Sequence, residues 1–183
     1  MRASLGHPSG RVILQNPDDM ALFVKEGLVP AAQLRLIPSW GVNCTRFCPA
    51  DKPDTDFRVL LPARLLWDKG VGEFVEAARQ LKRAGRLDGP RPIRLLLAGE
   101  PDPGNPAAVP AEQIRDWEAE GLLQWLGHVE SMPECLQSVS AVALPTAYGE
   151  GVPKGLIEAA ACGLPLITTD APGCREVVTH EQE

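Results

Sequence analysis

The chain has 183 residues, enough for one folded unit with a sizeable core, and its 44% hydrophobic and 23% charged composition is that of an ordinary globular protein. Its 24 acidic residues outnumber the 18 basic ones, giving a formal net charge of −6, which argues against the basic face that a phosphate-tracking nucleic-acid binder needs. No uninterrupted apolar run approaches membrane-spanning length, and Met1 to Gly10 contains no apolar signal core.

In chain order, Ile13 to Ser39 reads as strand, helix, strand. Cys44 and Cys48 follow, but no second Cys/His pair completes a tetrahedral metal site. With Cys135, Cys162 and Cys174 the cysteines number five, odd and scattered, which predicts free thiols in a reducing compartment. Asp51 to Asp56 is a linker candidate; its Asp54-Thr55-Asp56 spacing suits a metal diphosphate, but it precedes the first strand and reads as solvated charge. Val59 to Pro62 is a strand, and Gly70 to Ala84 a helix with Val71, Phe74, Val75, Ala78 and Leu81 on one face. Arg86 to Pro92 is a surface turn, and Ile93 to Ala98 the second strand. Glu100 to Pro110, with four prolines, is a rigid connector or a rim that shapes the acceptor side of a site. Next come a polar helix, Ala111 to Glu120, carrying Ile114 and Trp117; a third strand, Leu122 to Leu126; a short helix, Met132 to Val139; and a fourth strand, Ala141 to Leu144. A further helix and a fifth strand, Pro165 to Thr168, complete the series.

This alternation with short apolar strands predicts an α/β fold, a Rossmann-like parallel sheet with helices on both faces. Such sheets bind ligands at the carboxyl ends of their strands, the edge where Arg64, Lys69, Gly99, Val129, Glu150 and Gly151 all fall.

The segment between the fourth strand and its helix carries the most chemistry. Glu150 and Glu158, with seven residues between them, lie in Tyr148-Gly149-Glu150-Gly151-Val152-Pro153-Lys154-Gly155-Leu156-Ile157-Glu158. Pro153 suits a first helical position and Gly163 the residue just past the helix end. The unpaired N–H groups of Lys154 and Gly155, with the positive end of the helix dipole, make an anion site. Two carboxylates flanking it would repel a bare phosphate and suit a ligand with hydroxyls on both sides of its phosphates, as in a nucleotide-sugar. The sequence contains neither the P-loop pattern nor a G-x-G-x-x-G after the first strand.

The segment resembles the donor site of retaining GT-B glycosyltransferases of the family-4 group, with their E-x7-E motif. The resemblance runs from Val12 to about Val178. Gln15-Asn16-Pro17-Asp18-Asp19 and Ile37-Pro38-Ser39-Trp40-Gly41-Val42-Asn43 look like the crossover between the family's two domains, with Asn43 where an Asp is usual. Ala63 to Val71 looks like its R-x4-K-G phosphate clamp, and Leu97-Ala98-Gly99, Gly127-His128-Val129 and Leu144-Pro145-Thr146 follow in order. Val152-Pro153 replaces the commoner Phe-Gly.

The resemblance implies residues 1–52 as a remnant of an N-terminal acceptor domain with its crossover. It implies residues 53–183 as a donor-binding Rossmann-like domain, truncated at its C-terminus. Its site would be metal-independent, with Arg64 and Lys69 on the diphosphate beside the N–H groups of Lys154 and Gly155. Glu158 would take the ribose hydroxyls, and Val129 would contact the base through its backbone. Glu150 would hold the transferred sugar with the N–H groups of Gly151 and Val152; Glu150, Arg64 and Lys69 are the expected catalytic residues. His128, a lone histidine, is not expected to act as a base. The implied function is retaining transfer of a hexose from an NDP-sugar, most simply a UDP-sugar, to a glycan or lipid-linked acceptor in cell-surface polysaccharide synthesis. No cofactor is implied. The location would be cytoplasmic or peripheral at the inner face of the membrane, with no nucleic-acid partner. A nucleotide-sugar epimerase on the same fold and a non-catalytic nucleotide-sugar-binding module remain the alternatives.

Overall fold

A computed structural model describes residues 5, 7, 9–38, 41–51 and 56–179; Ser39, Trp40, Asp54, Thr55 and His180 lie outside the described residues. The expected strand–helix–strand forms near the start: β1 (Val12–Leu14), α1 (Pro17–Lys25), a single 3-10 turn at Ala31–Gln33, and β2 (Leu34–Leu36), with β1 and β2 paired in parallel. Asn16 caps α1 by accepting the Asp19 N–H at 2.7 Å, and Pro17 follows it in the first turn, where a missing N–H costs nothing. Leu14, Val29 and Leu34 close a small core of their own.

The rest of the chain builds a parallel sheet of five strands, β3 (Phe57–Pro62), β4 (Ile93–Ala98), β5 (Gln124–Gly127), β6 (Ala141–Leu144) and β7 (Leu166–Thr168), in the order β5-β4-β3-β6-β7. Between them run α2 (Val71–Arg83), α3 (Ala111–Ala119), α4 (Met132–Gln137) and α5 (Lys154–Ala161).

Side-chain alternation explains the layers. Val59, Leu61, Leu95, Leu97 and Ala143 pack on one face with Val71, Phe74, Val75, Ala78, Ile114 and Trp117 from α2 and α3. Their neighbours Leu60, Leu96, Ala98, Val142 and Leu144 pack on the other with Leu136, Leu156 and Ala159 from α4 and α5. Both faces are covered, so the inner strands β3, β4 and β6 are apolar through their buried stretches and the fold is a Rossmann-like α/β sheet, as the sequence predicts.

Several boundaries differ from expectation; β3 begins at Phe57, two residues before the expected Val59. Pro153 is not the first helical residue; with φ −64° and ψ 113° it is extended and caps α5, which begins at Lys154. The third strand starts two residues late, at Gln124: Leu122 and Leu123 are drawn into the core instead, and a register shift at Leu97/Ala98 lets the strand run on to Gly127. Helix α4 ends at Gln137, and Val139 is buried beyond it. The C-terminal end of α5 follows prediction: Gly163 has φ +67°, and Leu164 N–H returns to the Ala159 carbonyl at 3.1 Å.

Candidate functional site

The chain steps outward from β3 to β4 and β5, then returns to place β6 on the other side of β3. This reversal splays the connections apart at the carboxyl edge and opens a crevice. Two adjoining cavities occupy it, of about 520 and 190 Å³. Pro62, Ala63, Arg64 and Gly155 line both, so they form one cleft with a neck. Its larger end is lined by Glu100, Asp102, His128, Val129 and Glu158, and its smaller end by Lys69, Glu150, Pro153 and Lys154.

Tight turns after the strands set these walls. Gly99 has φ +141°, and a Cβ there would lie 1.9 Å from the Ala63 carbonyl oxygen, so only glycine lets the β3 and β4 loops touch. Trp125 holds that turn by donating its indole N–H to the Gly99 carbonyl at 2.9 Å. At Gly70, φ +79°, a Cβ would lie 2.1 Å from the Pro145 carbonyl oxygen, and this close approach brings Lys69 against the loop after β6. The four-proline loop straps back over the first turn: Trp67 N–H donates to Ala107 O and Val109 N–H to Leu65 O, both at 2.8 Å. Its residues Pro101, Asp102 and Pro103 line the larger cavity together with Val129 and Glu158.

The cleft contains three cations, each facing a carboxylate. Lys69 Nζ donates to Glu150 Oε1, both side chains largely shielded. Lys154 lies 3.4 Å from Glu158, whose side chain is only 11% exposed, one helical turn along α5. Arg64, 65% exposed, lies 3.5 Å from Asp102 on the proline loop. The last pair is worth little in water and yields readily to a stronger anion. Lys69, with three N–H donors, can keep Glu150 and take a second acceptor. Between these pairs, Lys154 and Gly155 open α5, whose cap residue Pro153 has no side-chain acceptor to offer.

The structure thus gathers Arg64, Lys69, Glu150, Lys154, Gly155, Glu158 and Val129 around one cleft. Gly151 and Val152 line neither cavity, and the Val152 N–H donates to Gln15 Oε1 at 3.3 Å, away from the cleft. His128 contributes its backbone N–H to Glu100 Oε1 at 2.9 Å. Of the aspartate pair in the linker, Asp56 is paired with Arg58 at 3.0 Å. Asn43, in place of the usual Asp, still fixes its turn by accepting the N–H groups of Thr45 and Arg46 at 3.0 and 3.2 Å.

Sequence reasoning missed the supports beneath Glu150. Thr146, fully buried, donates to the Asp68 carbonyl at 2.9 Å and accepts the Tyr148 N–H at 3.2 Å, tying the Lys69 turn to the Glu150 loop. Asn16, also fully buried, donates to the carbonyls of Glu150 and Gly151 at 2.9 and 3.0 Å. An Asn before Pro-Asp-Asp signals a helix cap; nothing in it signals a partner 134 residues away. Below the loop lies the buried thiol of Cys174, pushed above the usual range by burial; the hydrogen bond with Thr168 acts against that shift.

The sequence matches the family described as glycosyl transferases, group 1, over residues 56–183. A Campylobacter jejuni relative, N,N'-diacetylbacillosaminyl-diphospho-undecaprenol alpha-1,3-N-acetylgalactosaminyltransferase, is 30% identical over 79% of this chain and 38% of its own length. Among solved structures, Anabaena Alr3699/HepE in complex with UDP and glucose superposes with a TM-score of 0.75 and 19% identity, over 98% of this chain and 50% of that one. A glycosyltransferase from Rickettsia africae ESF-5 does so with a TM-score of 0.74 and 19% identity, over 93% and 47%. The chain therefore spans little more than a third of the curated relative and about half of each solved protein.

Proposed function

The chain belongs to the glycosyl transferases group 1 family, and from that premise we propose that its cleft is the donor site of a retaining, metal-independent hexosyltransferase that uses an NDP-sugar, most simply a UDP-sugar. One observation carries the reading: Glu158 and Glu150 stand at opposite ends of a continuous cleft, with Arg64, Lys69, Lys154 and an uncapped helix N-terminus between them. That order of charges matches a ligand with a diol, a diphosphate and a second polyol in series.

In this reading the base enters the larger cavity against Val129, and Glu158 accepts the two ribose hydroxyls, one on each carboxylate oxygen. The diphosphate lies at the neck, where Arg64 exchanges Asp102 for it and the N–H groups of Lys154 and Gly155 point at it. Lys69 bridges the β-phosphate and Glu150, and Glu150 accepts hydroxyls of the sugar. In the reaction the bond from the anomeric carbon to the β-phosphate oxygen breaks, and its electron pair stays on the phosphate. The acceptor hydroxyl attacks from the same face, passing its proton to that phosphate oxygen. Negative charge grows on the leaving diphosphate, so cations and N–H groups held there stabilise the transition state more than the ground state.

Residues 12–36 form a sheet and core separate from the five strands, which supports reading them as the end of a preceding unit that holds the acceptor. The relative's name, with its undecaprenol-linked acceptor, supports a glycan or lipid-linked acceptor in glycoconjugate synthesis. No helix among the described residues is long and apolar enough to cross a membrane.

Calorimetric titration with UDP, GDP and ADP tests the reading, wild type beside Glu158→Ala. Saturable binding of one nucleotide, weakened by the substitution, supports it and identifies the base. Binding of none, or binding indifferent to Glu158, refutes it.

A further inference from the structure

We propose that Asn16 is a positioning residue for the sugar end of the cleft: its side-chain amide, anchored in the two-stranded unit, fixes the backbone that aims Glu150. The proposal rests on the donor-site reading given above and adds to it a residue that touches no ligand.

The side chain of Asn16 is buried and fully engaged. Its carbonyl oxygen accepts the Asp19 N–H at 2.7 Å. Its amide group donates to Asp19 Oδ2 at 2.9 Å, to the Glu150 carbonyl at 2.9 Å and to the Gly151 carbonyl at 3.0 Å. One face of the amide therefore caps α1, and the other clamps a loop of the five-stranded unit. The clamp needs a donor: three oxygens converge on the nitrogen, and an acceptor there would meet only repulsion. That requirement separates the two jobs of the residue. Asp and Ser cap helices as well as Asn does, but Asp cannot donate to the two carbonyls and Ser is too short to reach them.

The loop it holds is also fixed from within the five-stranded unit. Glu150 N–H donates to the Pro172 carbonyl at 3.1 Å, and its carboxylate is held by Lys69. Gly173 packs so closely on the Glu150 carbonyl that a Cβ would lie 2.5 Å from it. Asn16 closes the remaining side, beside Gln15, which accepts the Val152 N–H, and Asp18, which pairs with Arg175 at 3.1 Å. Contacts from Gln15 and Asn16 thus converge on one side of the loop, and Asp18 ties the same turn to Arg175 beyond β7. Releasing the carbonyls of Glu150 and Gly151 frees the carboxylate to swing with Lys69, while Glu158, on the rigid body of α5, keeps its place.

Two variants and two readouts test this. Asn16→Asp and Asn16→Ser both retain the helix cap, so both are expected to melt as one cooperative unit. Hydrogen exchange is read at the amides of Tyr148, Glu150 and Val152 in the ligand-free protein, and affinity is measured for UDP and for UDP-glucose. The proposal predicts faster exchange at those amides in both variants, with the strand amides of β3 and β6 unchanged. It predicts UDP-glucose binding weakened by about tenfold, as expected when a misaimed Glu150 loses a hydrogen bond to the sugar, with UDP affinity within about twofold of wild type. Unchanged loop exchange in both variants, or equal weakening of both ligands, overturns it and leaves Asn16 as a cap alone. If wild type binds neither ligand, the donor-site reading fails, and the exchange readout by itself still decides whether Asn16 holds the loop. Should Asn16→Asp fail to fold, Asn16→Ser carries the test.

Discussion

Gly155→Ala should move stability and binding in opposite directions. Gly155 is the second residue of α5, and a methyl added there would meet Pro62 Cγ and Pro62 O at 3.6 Å, ordinary van der Waals contact. Packing therefore does not require glycine. Alanine is favoured in a helix by up to about 1 kcal/mol, and the folded chain should gain a share of that. For a domain of this size the gain corresponds to a rise in Tm of roughly 2–4 °C at most. The same methyl falls in the neck lined by Pro62, Ala63 and Arg64, which both cavities share. A phosphate that approaches the Lys154 and Gly155 N–H groups would be pushed off them, losing a charge-assisted hydrogen bond of about 1.5–3 kcal/mol. Nucleoside diphosphate affinity should then fall by about ten- to hundredfold. Thermal melting by circular dichroism and calorimetric titration with UDP measure the two halves. A variant that binds UDP as tightly as wild type would refute the placement of the diphosphate at this helix N-terminus, and one that melts lower would refute the claim that packing does not require glycine.

Three further outcomes are expected. Glu150→Gln should leave UDP affinity within about twofold and weaken UDP-glucose by about tenfold, read by competitive titration, since Glu150 lines only the smaller end of the cleft. Leu97→Ala, at a fully buried site in the β4 face shared with α2 and α3, should destabilise the fold by about 2–5 kcal/mol in urea unfolding. Alkylation followed by mass spectrometry at neutral pH should label exposed Cys44 quickly and spare Cys162 and Cys174, both buried, until the chain is unfolded. For Cys174, burial also holds the thiol protonated to higher pH, which lowers its thiolate fraction.

Periodicity alone made the five strands and their helices legible, because a sheet covered on both faces needs apolar strands throughout and amphipathic helices beside them. Boundaries failed where tertiary forces outvoted local ones. Leu122 and Leu123 read as strand because they are apolar, yet the core takes them before the ladder begins. Pro153 read as the first helical residue, yet its extended ψ leaves it as the cap. Arg64, Lys69 and Glu150 were legible from their placement after strands, and Lys154 and Glu158 from the segment that opens α5; Glu100 and Asp102 were not. Nor were the pairings: that Arg64 faces Asp102, or Lys69 faces Glu150, depends on loop paths that no spacing encodes. Asn16 and Thr146 were least legible, because their partners are backbone carbonyls, which carry no sequence signature.

The most direct test of the donor-site account is a crystal structure of the protein with UDP bound. The account predicts the base in the larger cavity against Val129, both ribose hydroxyls on the Glu158 carboxylate, and the diphosphate between Arg64 and the N–H groups of Lys154 and Gly155, with the Arg64–Asp102 pair broken. UDP seated elsewhere on the chain, or reversed so that the base lies against Lys69 and Glu150, would contradict it.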